Sequence, residues 1–401
     1  MKYLPLILFF IQNIKVDDAI HIPSHSSGTR TMERRKSKVD PEVFMNASQL
    51  ITTKGLPCEE YTAVTSDGFI LGMQRIPRDT PGRYPILLMH GLLGSSDNFL
   101  TNLANQSLAY ILYNAGYDVW LGNVRGNHYS RQHRYLDPDN VDFWKWSFDE
   151  MSMFDIPAMV YRVLQVTGKS KVVYVGHSQG TVVLFLSVLA HDTSFADKIH
   201  SFFALAPAAM VQDMTSPIKY LAPFAGDIDL AYKLLGKGEF LPTNEFLSNI
   251  SRKYCKNEPC ENILELFGGL DVSNTNSSRL PVYFSHNPAG TSTQNMMHWS
   301  QMVESPEKVL KYFDYGSWSR NMQHYGHSSP PSFDFTKFTV PTYIFCGGMD
   351  SFVTLKNCMQ LYSLFSDEKE IFYIDSYTHM DFVWGLDAPS KVYSTIVKLL
   401  D

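Results

Sequence analysis

Three residues of this chain could together turn a hydroxyl into a nucleophile: Ser178, Asp350 and His379. Ser178 lies within Gly176-His177-Ser178-Gln179-Gly180, preceded by the valine-rich run Lys171 to Val175 and followed by the helix-compatible run Thr181 to Ala190. Strand, sharp turn and helix in that order present a serine as an exposed nucleophile. Glycines suit positions 176 and 180, because side chains there would collide with the neighbouring strand and helix. A serine hydroxyl attacks only when a base takes its proton, so the turn calls for a histidine and a carboxylate to orient it.

Both partners are expected further along, carboxylate first, each just after a strand. Val340 to Cys346 reads as a buried strand whose closing turn, Gly347-Gly348-Met349, delivers Asp350. Glu370 to Ile374 reads as the next strand, and His379 follows five residues beyond it. With 13 histidines and 40 acidic residues in the chain, position in this pattern decides the assignment. Asp375 and Asp381 are the fallback acids. Asp375 is too close in sequence to His379 to come from the preceding strand end, and Asp381 is read as fixing the histidine loop. His177 is read as a packing or hydrogen-bonding neighbour of Ser178, since it cannot easily turn back to take that proton.

A tetrahedral intermediate also needs donors aimed at its oxyanion. The amide of Gln179 supplies the first. The strand Tyr84 to Met89 runs into His90-Gly91-Leu92-Leu93-Gly94-Ser95-Ser96, where the Leu92 amide is expected as the second.

These residues need a rigid frame. A chain of 401 residues, 44% hydrophobic and 13% aromatic, can bury a large core. Strands alternate with helices from Thr62 to about His200 and again from Thr339 to Asp401, the pattern of an α/β fold with one mostly parallel sheet wrapped by helices. The rhythm divides the chain into a core, 45–200 and 336–401, and an inserted, mainly helical cap, 201–335, where helical spacings such as Ile218 with Leu221 and Leu230 with Leu234 alternate with Asn-, Ser- and Pro-rich loops. Within it, Tyr220-Leu221-Ala222-Pro223-Phe224-Ala225-Gly226 and the residues up to Pro242 read either as a lid that opens at a lipid surface or as helices packed permanently on the core.

Taken in order, these motifs resemble the acid lipase family, which includes the gastric and lysosomal acid lipases, within the α/β-hydrolase superfamily. The resemblance runs from about residue 45 to the end and rests on Gly55 to Tyr61, Thr65 to Leu71, His90 to Ser95, Gly122 to Arg131, Trp146 to Met151 and Asp155 to Ala158. It continues through the serine turn, Pro288 to Ser292, Asp314 to Gly316, Asn321, Pro330-Pro331 and His379 to Gly385. The likeness implies an α/β-hydrolase core and hydrolysis of acylglycerols or sterol esters at a lipid interface. It also implies that Ser178, Asp350 and His379 match the family's triad, and Leu92 and Gln179 its oxyanion donors. A carboxylesterase or acyltransferase using the same nucleophile, and a non-catalytic lipid-binding relative, are the competing readings.

The cysteines depart from the family pattern. Relatives such as gastric lipase have a cap disulfide closing a longer loop, whereas only four residues separate Cys255 from Cys260, the candidate pair here. A loop so short gains little entropy from a bridge. Cys58, Cys346 and Cys358 have no evident partner, and no zinc-type Cys/His spacing occurs, so no structural metal and no cofactor are expected.

The amino terminus indicates the compartment. Met1-Lys2 and the apolar run Tyr3 to Ile11 fit a signal peptide over residues 1–19, too short to span a bilayer, so no transmembrane segment is expected in the mature chain. Residues 20–44 read as a polar linker or pro-segment, with the basic run Arg34-Arg35-Lys36-Ser37-Lys38. Sequons at Asn46, Asn105, Asn249 and Asn276 agree with a secreted or lysosomal glycoprotein. A net charge of −6 and the lack of any phosphate-cradling motif argue against nucleic acid or nucleotide partners.

Overall fold

The computed structural model describes residues 39–191, 193–216, 219, 238–241, 271–366 and 369–401. Strands β1 (Glu59–Val64), β2 (Phe69–Ile76), β3 (Ile86–Met89), β4 (Val119–Gly122), β5 (Gln132–His133), β6 (Val172–His177), β7 (Ile199–Leu205), β10 (Thr342–Gly347) and β11 (Lys369–Ile374) form one sheet. Its order is β1-β2-β4-β3-β6-β7-β10-β11, with β5 paired to β2. From β4 to β11 all pairings are parallel, and β1, β2 and β5 form an antiparallel edge. Every residue of β3, β4 and β6 is buried, as expected for parallel strands covered on both faces.

Strand periodicity sorts the core into two layers. Leu87, Met89, Trp120, Tyr174, Phe202 and Ile344 point to one face, and Ile86, Leu88, Val119, Val173, Val175, Phe203 and Phe345 to the other. The second face is covered by α1 (Ala47–Thr53), α2 (Leu108–Asn114) and, at the far end of the chain, Val392 and Ile396. The first is covered by α3 (Ile156–Thr167) and α4 (Gln179–Ala190). Residues 179–188 of α4 are all buried, so this helix is enclosed around its whole circumference.

Strands β7 and β10 are neighbours in the sheet. The chain between them includes α5 (Leu280–His286), α6 (Thr293–Glu304) and a two-stranded ribbon pairing β8 (Glu239–Phe240) with β9 (Thr291–Ser292). The expected lid segment apart from residues 238–241, the helical spacings at Ile218 with Leu221 and Leu230 with Leu234, the Cys255/Cys260 pair, the sequon at Asn249 and the signal segment lie outside the described residues. Of the other sequons, Asn46 caps α1, its Oδ1 accepting from the Gln49 amide at 2.9 Å. Asn105 is exposed, and Asn276 accepts from the Ser278 amide at 3.2 Å.

One buried ion network ties the antiparallel edge to α3. Arg125, just after β4, donates through Nε to Asp155 Oδ1 at 2.8 Å and through its outer nitrogens to Asp67 at 2.7 and 3.0 Å, and its guanidinium lies 4.1 Å from the Phe69 ring. Side chains 125 and 155 are 1% and 0% exposed. Removing one member of such a pair strands the other charge and costs about 3–5 kcal/mol. Burial already outweighs the pull of Arg125 and raises the Asp155 carboxyl to about 6. Arg125→Met is therefore expected to lower unfolding stability by that amount at pH 8 and by less at pH 5, where the orphaned acid takes up a proton. Urea titrations at both pH values check this, and a loss below about 1 kcal/mol at pH 8 would show the network to be dispensable.

Candidate active site

The predicted groups arrive from the carboxyl ends of parallel strands of one sheet, where crevices form in open α/β sheets. Ser178 follows β6, Asp350 follows β10, His379 follows β11, and His90-Gly91-Leu92 follows β3. Ser178 takes φ 54°, ψ −120°, a backbone conformation unusual for a side-chain-bearing residue, and its amide donates to the Leu205 carbonyl at 3.0 Å. Such a turn leaves no room beside it. A Cβ on Gly176 would sit 2.6 Å from the Gly180 carbonyl oxygen, and one on Gly180 would sit 2.4 Å from that of Met89.

His379 Nε2 lies 2.8 Å from Ser178 Oγ, and its Nδ1 lies 2.8 Å from Asp350 Oδ2. A carboxylate only accepts, so Nδ1 carries the hydrogen and Nε2 is left to accept from the hydroxyl. Asp350 is fixed in turn, because its Oδ1 accepts from the amides of Phe352 and Val353, both at 2.8 Å. Acid and imidazole are 4% and 7% exposed. This line of groups can draw a proton off Oγ and hold the resulting imidazolium beside a carboxylate.

Asp381 takes the Thr378 amide and hydroxyl, each at 2.7 Å, and so braces the loop before His379. Asp375 accepts from the Tyr373 hydroxyl, away from the imidazole's partners. His177 is buried and its Nε2–H donates to the His379 carbonyl at 2.9 Å, pinning that loop from below. Gln179 begins α4. Gly91 lies against the serine, where a Cβ would stand 3.0 Å from Ser178 Cβ, and Leu92 follows it in the chain.

Two cysteines for which no partner was expected, Cys346 and Cys358, pair across the Asp350 turn. Cys346 and Cys358 are bonded to each other, with Cα atoms 6.2 Å apart, whereas Cys58 is free. Cys346 lies in β10 and Cys358 in the first turn of α7 (Leu355–Leu364), so the bond closes the loop that carries Asp350. Twelve residues of spacing hid this pair, because the strand-turn-helix that folds them together is a tertiary event.

Gln179 has further partners that the sequence did not single out. Its Oε1 accepts from Asn295 Nδ2 at 2.9 Å and from Trp299 Nε1 at 2.7 Å, both on α6. The one available signal was their four-residue spacing, which places two donors on one helix face.

Buried titratable groups around the site act in opposition. Burial raises the Asp381 carboxyl to about 6, as it does Asp155, and raises Asp149 and Glu150 as well. Such acids stabilise the fold fully below their unfolded values, and for Asp155 and Asp381 the contribution is lost as pH rises through about 6. Burial lowers His90 to about 4 and His177 and His298 to about 3, and their contribution is present above the unfolded value and lost as pH falls toward those numbers. Between pH 4 and 6 the two slopes, each about 1.4 kcal/mol per pH unit per group, oppose each other. The melting temperature is therefore expected to stay nearly level from pH 4 to 6 and to drop below pH 4. A steady climb from pH 4 to 7 would contradict that balance.

A family model of the alpha/beta hydrolase fold matches residues 84–386, and one of a partial alpha/beta-hydrolase lipase region matches residues 47–103. Gastric triacylglycerol lipase of Rattus norvegicus is 43% identical over 375 residues, covering 90% of this chain and 93% of the relative. The chain belongs to the acid lipase family of α/β hydrolases. Lipase member M of Homo sapiens is 43% identical over 378 residues, covering 90% and 87% of the two chains. The human lysosomal acid lipase/cholesteryl ester hydrolase is 40% identical over 386 residues, covering 94% and 95%. Among solved structures, an esterase from Exiguobacterium antarcticum superimposes with a TM-score of 0.50 at 14% identity, covering 85% of this chain and 99% of that one, a likeness of fold.

Proposed function

We propose that the protein is a secreted or lysosomal serine hydrolase that cleaves lipid carboxylic esters, acylglycerols and sterol esters, through an acyl-enzyme. The observation that carries this reading is the unbroken hydrogen-bonded line Asp350–His379–Ser178, in a chain 40–43% identical to proteins named as lipases. In the proposed cycle Ser178 Oγ attacks the ester carbonyl while His379 Nε2 takes its proton, and Asp350 holds the imidazole in the tautomer that can accept it. The amides of Leu92 and Gln179 stabilise the oxyanion. As the tetrahedral intermediate collapses, His379 protonates the departing alcohol. A water molecule deprotonated by the same ring then attacks the acyl group, and the fatty acid leaves with Ser178 restored.

The core carries every one of these groups; because β7 (Ile199–Leu205) lies in the sheet between β6 and β10, the core extends through residue 205 instead of ending at 200, and the proposed cap is the insertion 206–335. A route through the secretory pathway is supported by the leader-like start of the chain. No helix among the described residues is long and apolar enough to cross a membrane.

The test is hydrolysis of emulsified triacylglycerol, emulsified sterol ester and short soluble esters from acid to neutral pH, alongside labelling by a fluorophosphonate. The proposal expects labelling at Ser178 and preference for the emulsified substrates. Labelling with turnover of short soluble esters alone would make the protein a carboxylesterase, and no labelling would leave a non-catalytic lipid binder.

A further inference from the structure

We infer that Asn295 and Trp299 are positioning residues for the oxyanion donor at Gln179, so that helix α6, from the segment between β7 and β10, shapes the transition-state environment instead of only covering it. The inference rests on the ester-hydrolase reading above. Gln179 is 2% exposed, and its side chain is held in three directions: Asn295 Nδ2 and Trp299 Nε1 donate to Oε1, and Nε2 faces Met151 Sδ at 3.5 Å. Its own backbone N–H is the first of α4, one of the groups a helix cannot satisfy internally, and is therefore available to an oxyanion.

Positioning matters here because the preceding residue is strained. With Ser178 at φ 54°, ψ −120°, the chain turns sharply out of β6, so the tilt of the peptide that carries the Gln179 N–H is set by contacts of the turn and of α4 and not by the strand ladder. The Ser178 amide is tied to Leu205 in β7, and the Ser178 carbonyl, in the same peptide as the Gln179 N–H, accepts from Thr181 N at 2.9 Å and Thr181 Oγ1 at 2.6 Å; the Gln179 side chain adds the anchor that comes from outside the β6–α4 turn. A preorganised donor works because it need not turn when charge develops, so a clamp on residue 179 is a clamp on the donor.

The donors are themselves braced. Asn295 Nδ2 also donates to Thr291 Oγ1 at 3.0 Å, the Asn295 amide donates to Ser292 Oγ at 2.9 Å, and Ser292 Oγ donates to the Trp146 carbonyl. The Trp299 ring packs against Phe148, with centroids 5.1 Å apart. The whole assembly is buried, which makes each of these bonds strong and each loss felt.

Two variants test the inference. Trp299→Phe keeps the ring and removes the N–H, whereas Gln179→Met keeps the backbone donor and removes Oε1. Each is expected to lower kcat about 10-fold with KM within about twofold of the parent. Each should also weaken by the same factor the binding of an alkyl trifluoromethyl ketone, whose carbonyl becomes an oxyanion on adding to Ser178. The double variant should be no slower than the slower single one, because both changes cut the same contact. An unchanged kcat in Gln179→Met, a rise confined to KM, or losses that multiply in the double variant would each overturn the inference. The Gln179→Met result stands alone if Trp299→Phe fails to fold. If the parent protein resists fluorophosphonate labelling, the hydrolase reading falls and takes this one with it. If the parent labels and turns over while the variants match it, only the positioning role is lost.

Discussion

Replacing Ser178 with alanine is expected to lower ester turnover about a million-fold while leaving the melting temperature nearly unchanged. Within a triad the members act as a unit, so removal of the nucleophile costs about as much as removal of all three, and the residual rate comes from binding and oxyanion stabilisation alone. Alanine also removes the hydroxyl that reaches His379 Nε2 at 2.8 Å but leaves the imidazole bonded to Asp350. The surrounding elbow should persist, since its glycines and its tie to Leu205 do not involve Oγ. Initial rates on an emulsified ester, with active-site titration of the parent, make the comparison. Retention of more than about a hundredth of the parent rate would take Ser178 out of the role of nucleophile.

Asp350→Asn is expected to cost about 10⁴-fold in kcat, through a proton in the wrong place. The argument turns on the two amides of Phe352 and Val353, which donate to Oδ1 at 2.8 Å each. They will hold the carbonyl oxygen of the new amide in that position and turn its NH₂ group toward His379 Nδ1. Nδ1 must then accept, the ring hydrogen moves to Nε2, and Nε2 can no longer take the proton of Ser178. Geometry survives and function does not. The kcat should recover partly at high pH, where hydroxide can substitute for the base. A variant within tenfold of the parent at neutral pH would mean that Asp350 does not set the tautomer.

Much of this arrangement was legible because the site is built from strand ends. Each functional residue follows a short apolar run closed by glycine or a polar turn, and Val172–His177, Thr342–Gly347 and Lys369–Ile374 begin within two residues of the runs that announced them. The side roles of Asp381 and His177 were legible for the same reason, since both lie within two residues of a catalytic candidate.

Contacts that depend on elements folding back on one another were not legible. Nothing local in Cys346 or Cys358 says that α7 returns to lie on β10. The grip of Asn295 and Trp299 on Gln179 spans more than a hundred residues and joins segments that read as separate domains. The Arg125–Asp155 pair could be noticed as two charges in apolar company, but its burial depends on how α3 seats against the sheet edge.

The covalent link between Cys346 and Cys358 has a consequence for anyone making the protein. It forms where thiols are oxidised and stays open where glutathione keeps them reduced. Both sulfurs belong to residues no more than 1% exposed, so a chain that has already folded with free thiols offers an oxidant little access to repair them. Material from a bacterial cytosol and material exported through a lumen would then share sequence and architecture, yet differ in how firmly the carboxylate behind the imidazole is tethered.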